Sequence, residues 1–174
     1  SATAASSLPL LRNSNPLLKQ VFDMDIIIQP GKLSGEIQAI PSKSQAHRLL
    51  ICAAFADGKT SLRCAQTNQD IEATATCLNT LGATIIRTDD GYEVDPISCV
   101  PKQAVLNCFE SGSTLRFMLP LVGALGVDTT FLMAGRLPKR PLSPLWEEME
   151  RMGCTLCRPT ENTLHCQGKL RSGE

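Results

Sequence analysis

Three short stretches of the chain place cations where a helix is expected to begin. Lys43 and Ser44 stand at the start of a helical apolar period with Arg48 one turn later, and Ser111-Gly112-Ser113-Thr114 with Arg116 repeats that arrangement. Arg136, Lys139 and Arg140 form the third, in a loop leading to a helix that Ser143 is expected to cap with Pro144 at its first position. The amino end of a helix carries partial positive charge, so Lys or Arg there costs a few tenths of a kcal/mol unless an anion lies between them. The other residue types in these turns suit such an anion. Gly112 permits close approach of a ligand to the backbone, Ser44 and Ser113 add hydroxyl donors, and Arg presents a fork matched to carboxylate or phosphate. Any one of the turns alone reads as a solvated basic surface; three of them at strand-to-helix turns suit a ligand bearing more than one anionic group.

The elements that must position these residues follow from periodicity. Ile26–Ile28 and Gly35–Ile40 read as short strands. A first helix, capped by Ser44, places Ala46, Leu49, Leu50, Ala53 and Ala54 on one face and stops at Gly58. Thr60–Cys64 is a strand, and Asp70 is expected to cap a second helix whose Ile71, Ala75, Leu78 and Leu81 share a face and which Gly82 ends. Ala83–Arg87 and Tyr92–Val94 form a hairpin around Asp90-Gly91. This β-α-β-α-β-β order recurs as strand Ala104–Phe109, a helix from Ser113, strand Thr129–Met133, helix Ser143–Met152 and strands Thr155–Arg158 and Thr163–Cys166. Leu81-Gly82-Ala83-Thr84 lines up with Met152-Gly153-Cys154-Thr155, so the α/β chain carries an internal repeat. Pro120 falls inside the third helix and predicts a kink there.

Composition sets the bounds. With 174 residues, 43% hydrophobic and 20% charged, the chain can bury a core and is not a disordered segment. Its longest apolar stretch, Phe117 to Val127, is broken by Pro120, Gly123 and Gly126 and falls short of the ~20 residues that a spanning helix needs. Lys plus Arg and Asp plus Glu both count 17, and there is one Trp and one Tyr, which argues against a nucleic-acid platform or an anionic membrane surface as partner. Of the eight cysteines, Cys52, Cys77 and Cys108 sit in apolar segments and read as reduced thiols of a cytoplasmic protein, with Cys52 a buried filler. Cys154, Cys157, His165 and Cys166 resemble a zinc site superficially, but on strands residues three apart point to opposite faces, so no metal is expected. His47 reads as solvated, and Trp146, Met149 and Met152 as core. Residues 1–22 differ in composition from the rest of the chain and read as a non-native or flexible leader.

Pro41-Ser42-Lys43-Ser44-Gln45-Ala46-His47-Arg48, Glu110-Ser111-Gly112-Ser113-Thr114-Leu115-Arg116 and Arg136-Leu137-Pro138-Lys139-Arg140-Pro141-Leu142 closely resemble the signatures of the EPSP synthase (3-phosphoshikimate 1-carboxyvinyltransferase) family. With Thr80-Leu81-Gly82-Ala83 they stand in the family's order and spacing from about Met24 to Gly168. The resemblance implies transfer of the enolpyruvyl group of phosphoenolpyruvate to the 5-hydroxyl of shikimate 3-phosphate with release of phosphate, in the shikimate pathway of aromatic amino acid biosynthesis, without metal or organic cofactor. It implies that Lys43, Ser44 and Arg48 hold shikimate 3-phosphate, that Lys43, Gly112 and Arg140 hold phosphoenolpyruvate, and that Ser113, Arg116 and Arg136 support the pocket. Asp70 matches a family carboxylate near the cleft and receives no catalytic role. The alternatives are a related transferase acting on a UDP-sugar, in which an Asn would replace Ser44, and a non-catalytic anion-binding module.

The chain departs from the pattern in two ways. Phe117 follows the motif Arg where many members have Pro, so the resemblance carries no expectation about the analogue glyphosate. The family has two domains of three β-α-β-α-β-β units each, and about two of the six are recognisable here, with its acid-base carboxylates outside the chain. On that reading residues 23–40 are opening strands of the opposite domain, and residues 41–174 are part of the N-terminal substrate-binding domain, inactive without the remainder of the enzyme. Apolar surface left for the other units to cover predicts self-association; sedimentation velocity should show species that grow with concentration, and a clean monomer at high concentration contradicts it.

Overall fold

A computed structural model of the chain describes residues 31–32, 34–37, 39–40 and 42–172. The leader over residues 1–22 and the strand expected at Ile26–Ile28 lie outside the described residues. The chain divides into a unit over Ser1–Gln38 and a larger unit over Ala39–Glu174. The described residues of 35–40 carry no strand. Strand geometry is stable only where an edge pairs with it, and Ile37 and Ile40 are 94% and 85% exposed.

The larger unit runs α1 (Lys43–Ala54), β1 (Thr60–Arg63), α2 (Gln69–Thr80), β2 (Thr84–Arg87), β3 (Gly91–Asp95), β4 (Gln103–Phe109), α3 (Gly112–Leu125), β5 (Asp128–Met133), a 3-10 turn (Leu137–Lys139), α4 (Leu145–Arg151), β6 (Cys154–Cys157) and β7 (Thr163–Gly168). β1, β3 and β2 form an antiparallel sheet in that order. The second sheet has the order β4-β5-β7-β6, with β4 parallel to β5 and the other pairs antiparallel. The two repeats share one core, in which Leu50, Ile71 and Leu78 of the first meet Leu106, Leu115, Leu119, Phe131 and Leu164 of the second. α2 packs on α1, α3 and β4, so it lies at the junction of the repeats.

Capping differs from the sequence expectation in three places, for one physical reason. The cap is the last residue with extended backbone, and its side chain must reach the free N–H groups of the first turn. At α1 that residue is Ser42, which accepts from the Gln45 N–H, so Ser44 sits inside the first turn with its hydroxyl free for other work. At α2 it is Asn68, accepting from Ile71, which leaves the Asp70 carboxylate free. At α4 no side chain caps: the Leu142 and Pro144 carbonyls take the Trp146 and Glu148 N–H groups, and the helix starts at Leu145 after Ser143 and Pro144. Ser111 caps α3 through the Thr114 N–H.

The buried face of α1 is Ala46, His47, Leu50, Ala53 and Ala54, rotated from the expected stripe. Leu49 and Cys52 are exposed instead, so Cys52 is not a buried filler, and His47 is not solvated. The rotation results from α2 and α3 both covering one side of α1. α3 continues through Pro120 to Leu125 and ends at Gly126 in left-handed conformation. Met149 is buried and Trp146 packs against the core from its edge, as expected of their spacing, with Met152 half-buried.

Gly82 ends α2 with φ of 107°, and a β-carbon there would strike the Cys99 carbonyl oxygen. Gly58 has open space around it. Gly82→Ala is expected to lower stability by about 1–3 kcal/mol, from a backbone region closed to L side chains together with that clash. Gly58→Ala should change it by less than about 1 kcal/mol. Urea unfolding of the two variants reads the difference, and equal midpoints would contradict this account of the turn.

Candidate functional site

The amino ends of α1, α2 and α3 meet at one place, and a chain of buried polar side chains joins them. Ser111, Thr114, Thr74 and His47 are all at most 1% exposed. Thr114 Oγ1 lies 2.7 Å from Ser111 Oγ and 2.8 Å from Thr74 Oγ1, and Thr74 Oγ1 lies 2.7 Å from His47 Nδ1. Thr114 also donates to the Asp70 main-chain carbonyl at 3.1 Å. Each of the three helices thus contributes a polar group to a seam that apolar residues otherwise fill.

Around this seam stand the charges of α1 and α2. Lys43 Nζ lies 2.6 Å from Asp70 Oδ2, joining the first turns of the two helices. Arg48 donates to the Ser44 carbonyl at 2.8 Å and to the Ser44 hydroxyl, and its guanidinium sits 4.9 Å above the Phe117 ring of α3. Partial burial would raise the Asp70 carboxyl, but the Lys43 hydrogen bond and charge, together with Ser111 and His47, hold it below the ordinary value of 3.8. Burial pushes the His47 imidazole below 6.5; Asp70 opposes this while Lys43 and Arg48 reinforce it, so His47 is neutral at pH 7.

The second cluster is gathered at Gly112. A β-carbon there would lie 2.9 Å from Arg140 Nη1 and 3.0 Å from Arg116 Nη1, so two guanidinium groups crowd the first residue of α3. Arg116 donates to the Gly112 carbonyl at 3.3 Å and to the Pro141 carbonyl at 2.7 Å, tying the Arg140 loop to the helix. Arg158 holds the same loop from the far side through the Pro138 carbonyl at 2.8 Å. The turn into α3 passes through Phe109, whose φ of 48° is a left-handed conformation costing a bulky residue roughly 1–2 kcal/mol. Asn107 Oδ1 accepts its N–H and Ala134 N–H donates to its carbonyl, which hold it there.

Ion pairs among the described residues are Lys43–Asp70, Lys59–Asp95, Arg151–Glu148 and His165–Asp128. They leave Arg48, Arg116, Arg136 and Arg140 without a carboxylate among those residues. The expected site residues therefore fall into two groups, Lys43, Ser44 and Arg48 on α1, and Gly112, Arg116 and Arg140 at the start of α3. Phe117 and the buried seam connect them. Arg136 and Lys139 are exposed on the 3-10 turn, where the Arg136 N–H donates to Glu110 Oε1, and Ser113 is half-buried in the first turn of α3.

Over residues 27–171 the chain matches the sequence profile of the family described as EPSP synthase (3-phosphoshikimate 1-carboxyvinyltransferase). The chain belongs to the EPSP synthase family. It is 38% identical over 156 residues to the 3-phosphoshikimate 1-carboxyvinyltransferase of Clostridium beijerinckii, covering 84% of this chain and 36% of that protein. To the Clostridium kluyveri protein of the same name it is 36% identical over 153 residues, covering 86% and 35%. The EPSP synthase structure of Acinetobacter baumannii shares the fold at a TM-score of 0.66 and 19% identity, over 79% of this chain and 32% of that one. The chain spans about a third of the length of the relatives it matches.

Within this EPSP synthase fold the cysteine and histidine residues near the carboxyl end divide between the two faces of the β6–β7 ladder, as strand alternation requires. Cys154 and Cys166 face the core, while Cys157 is exposed and His165 pairs with Asp128 at 3.2 Å. All eight cysteines are free. No helix among the described residues is long and apolar enough to cross a membrane. Sequence reasoning passed over Thr74, read His47 as solvated, and did not see the buried seam that Ser111 and Thr114 form with them. Their available signal was spacing: Asp70 and Thr74 are one turn apart, and Ser111-x-x-Thr114 is a cap and its N3 partner.

Because the folded Asp70 carboxyl is depressed, its contribution to stability is complete above about pH 4, the unfolded value, and disappears as pH falls through the folded one. Asp70→Asn is expected to lower stability at pH 7, by a deficit that shrinks as pH falls below about 4. Thermal unfolding from pH 7 to pH 2 checks it; a deficit that does not change with pH would mean that the carboxylate charge is not what matters.

Proposed function

We propose that this chain supplies the substrate-anion-binding part of an enzyme that transfers the enolpyruvyl group from phosphoenolpyruvate to the 5-hydroxyl of shikimate 3-phosphate and releases phosphate. Lys43, Ser44 and Arg48 hold shikimate 3-phosphate, and Lys43 with Gly112 and Arg140 holds phosphoenolpyruvate, while Ser113, Arg116 and Arg136 sustain the positive field around them. The observation that carries this reading is the crowding of Arg116 and Arg140 against Gly112 at the amino end of α3, beside the α1 turn that bears Lys43 and Arg48. Two like charges at the positive end of a helix repel one another and the dipole, and a shared anion converts both repulsions into attraction.

Bringing two polyanions together and stabilising the charge of a tetrahedral intermediate requires preorganised cations and backbone amides, which is the chemistry these residues offer. Lys43 stands between both ligands in this reading. Asp70 holds it in the absence of substrate, and a phosphate arriving near Lys43 competes with that carboxylate. No acid-base residue is assigned in this chain; the remainder of the enzyme completes the active site. Eight free thiols suit a reducing, cytoplasmic setting.

Isothermal calorimetry with shikimate 3-phosphate tests the assignment. Lys43→Ala and Arg48→Ala should each weaken binding at least about tenfold, the scale of losing one charge-assisted contact. Unchanged binding in both variants would remove those residues from the site, and tight binding of a UDP-sugar with weak binding of shikimate 3-phosphate would change the substrate class.

A further inference from the structure

His47 lies at the centre of the site, fully buried, and takes no part in the ligand contacts proposed above. We infer that His47 is a positioning residue which, through Thr74 and Thr114, holds the Lys43–Arg48 turn of α1 in register with the Gly112–Arg116 turn of α3, so that an anion at one turn is felt at the other. The inference rests on the reading of the site given above and adds the device that makes its two halves act together.

Proton counting fixes the direction of the seam. Thr114 has one hydroxyl proton and donates it away from Thr74, to Ser111 Oγ at 2.7 Å or to the Asp70 carbonyl at 3.1 Å, which can only accept. The 2.8 Å contact between Thr114 and Thr74 then takes its proton from Thr74. The 2.7 Å contact between Thr74 and His47 takes its proton from the ring, which places it on Nδ1. His47 Nε2 is left as a buried lone pair with no hydrogen-bond partner among the described residues. A directional chain of this kind sets the rotation and slide of three helices more narrowly than apolar packing could do alone.

The groups facing the ring are Lys43 and Arg48 from α1, Asp70 from α2 and the Phe117 ring of α3, 5.9 Å away. A proton on Nε2 would add a third cation beside Lys43 and Arg48, so the seam works only with a neutral ring. Phe117 touches both His47 and, at 4.9 Å, the Arg48 guanidinium. A shift of the α3 turn therefore reaches Arg48 by two routes, the hydrogen-bonded seam and this ring.

His165 is the other histidine, so His165→Gln leaves one imidazole to observe. Long-range proton–nitrogen NMR of that chain should find neutral His47 protonated on Nδ1 and its titration displaced below the ordinary value, and Thr74→Val should move the proton to Nε2. Calorimetry of phosphoenolpyruvate with and without saturating shikimate 3-phosphate then reads the coupling. His47→Leu and Thr74→Val should each cut the enhancement at least tenfold, and His47→Asn, which keeps a donor at the Nδ1 position, should restore it. Titration near 6.5 with the proton on Nε2, or undiminished enhancement in both apolar variants, overturns the inference. A parent chain that binds both ligands without enhancement overturns the coupling alone. One that binds neither overturns the reading of the site, and the coupling falls with it.

Discussion

Everything positioned at this site depends on one polar seam, the hydrogen-bonded run from Ser111 through Thr114 and Thr74 to His47. Burying four polar side chains costs several kcal/mol if they go unpartnered, so the three helices can pack only in the one arrangement where the chain closes. Apolar packing alone would not impose that. Apolar contacts tolerate sliding, and the cationic side chains sit on first turns whose separation such sliding would change. The seam converts a permissive interface into a specified one.

The electrostatics of the two halves then diverge although their architecture repeats. At α1 the repulsion between Lys43, Arg48 and the helix end is relieved internally, because Asp70 reaches across from α2 to Lys43. At α3 the relief is only partial: Arg116 finds main-chain carbonyls at Gly112 and Pro141, and the charge itself is not neutralised among the described residues. A carbonyl dipole positions a guanidinium without cancelling its field, which is the condition for binding an anion strongly. In the proposed reading the α3 half is therefore the stronger anion attractor, and the α1 half exchanges a partner when it binds.

Much of this was legible in the sequence, and the failures have a common origin. The β-α-β-α-β-β order of the second repeat, the α-β-α-β-β order from Lys43 to Asp95 in the first, the Asp90-Gly91 hairpin, Gly82 as a helix stop and the cationic turns all rest on local spacing, which a single chain displays. The caps at Ser42 and Asn68 each lie two residues ahead of the expected ones because an earlier residue with a suitable side chain competes, and the choice depends on where the chain enters from the preceding loop. His47 could not be placed from spacing. Whether it or Leu49 is buried depends on which side of α1 faces α2 and α3, a tertiary fact that outweighs hydrophobicity once Thr74 offers the ring a partner. The proximity of Arg140 to Gly112 was also beyond local pattern, since it is made by a loop that Arg116 and Arg158 pull in from opposite sides.

Comparing the second helix of each repeat explains how duplication produced an asymmetric site. α2 has 12 residues and begins directly after a side-chain cap, so its first turn can present Asp70. The equivalent α4 has seven residues, and the chain ahead of it is spent on the 3-10 turn and the Arg140 loop instead. The first turn of α4 also carries carboxylates, Glu147 and Glu148, but Glu148 pairs with Arg151 of its own helix, while the loop ahead of the helix lays Arg140 against Gly112. What reaches the neighbouring helix end is thus the Asp70 carboxylate in one repeat and the Arg140 guanidinium in the other. A site built from two identical halves would carry either two neutralised lysines or two uncompensated arginine clusters. The asymmetry gives one of each, which suits the two different anions of the proposed reaction.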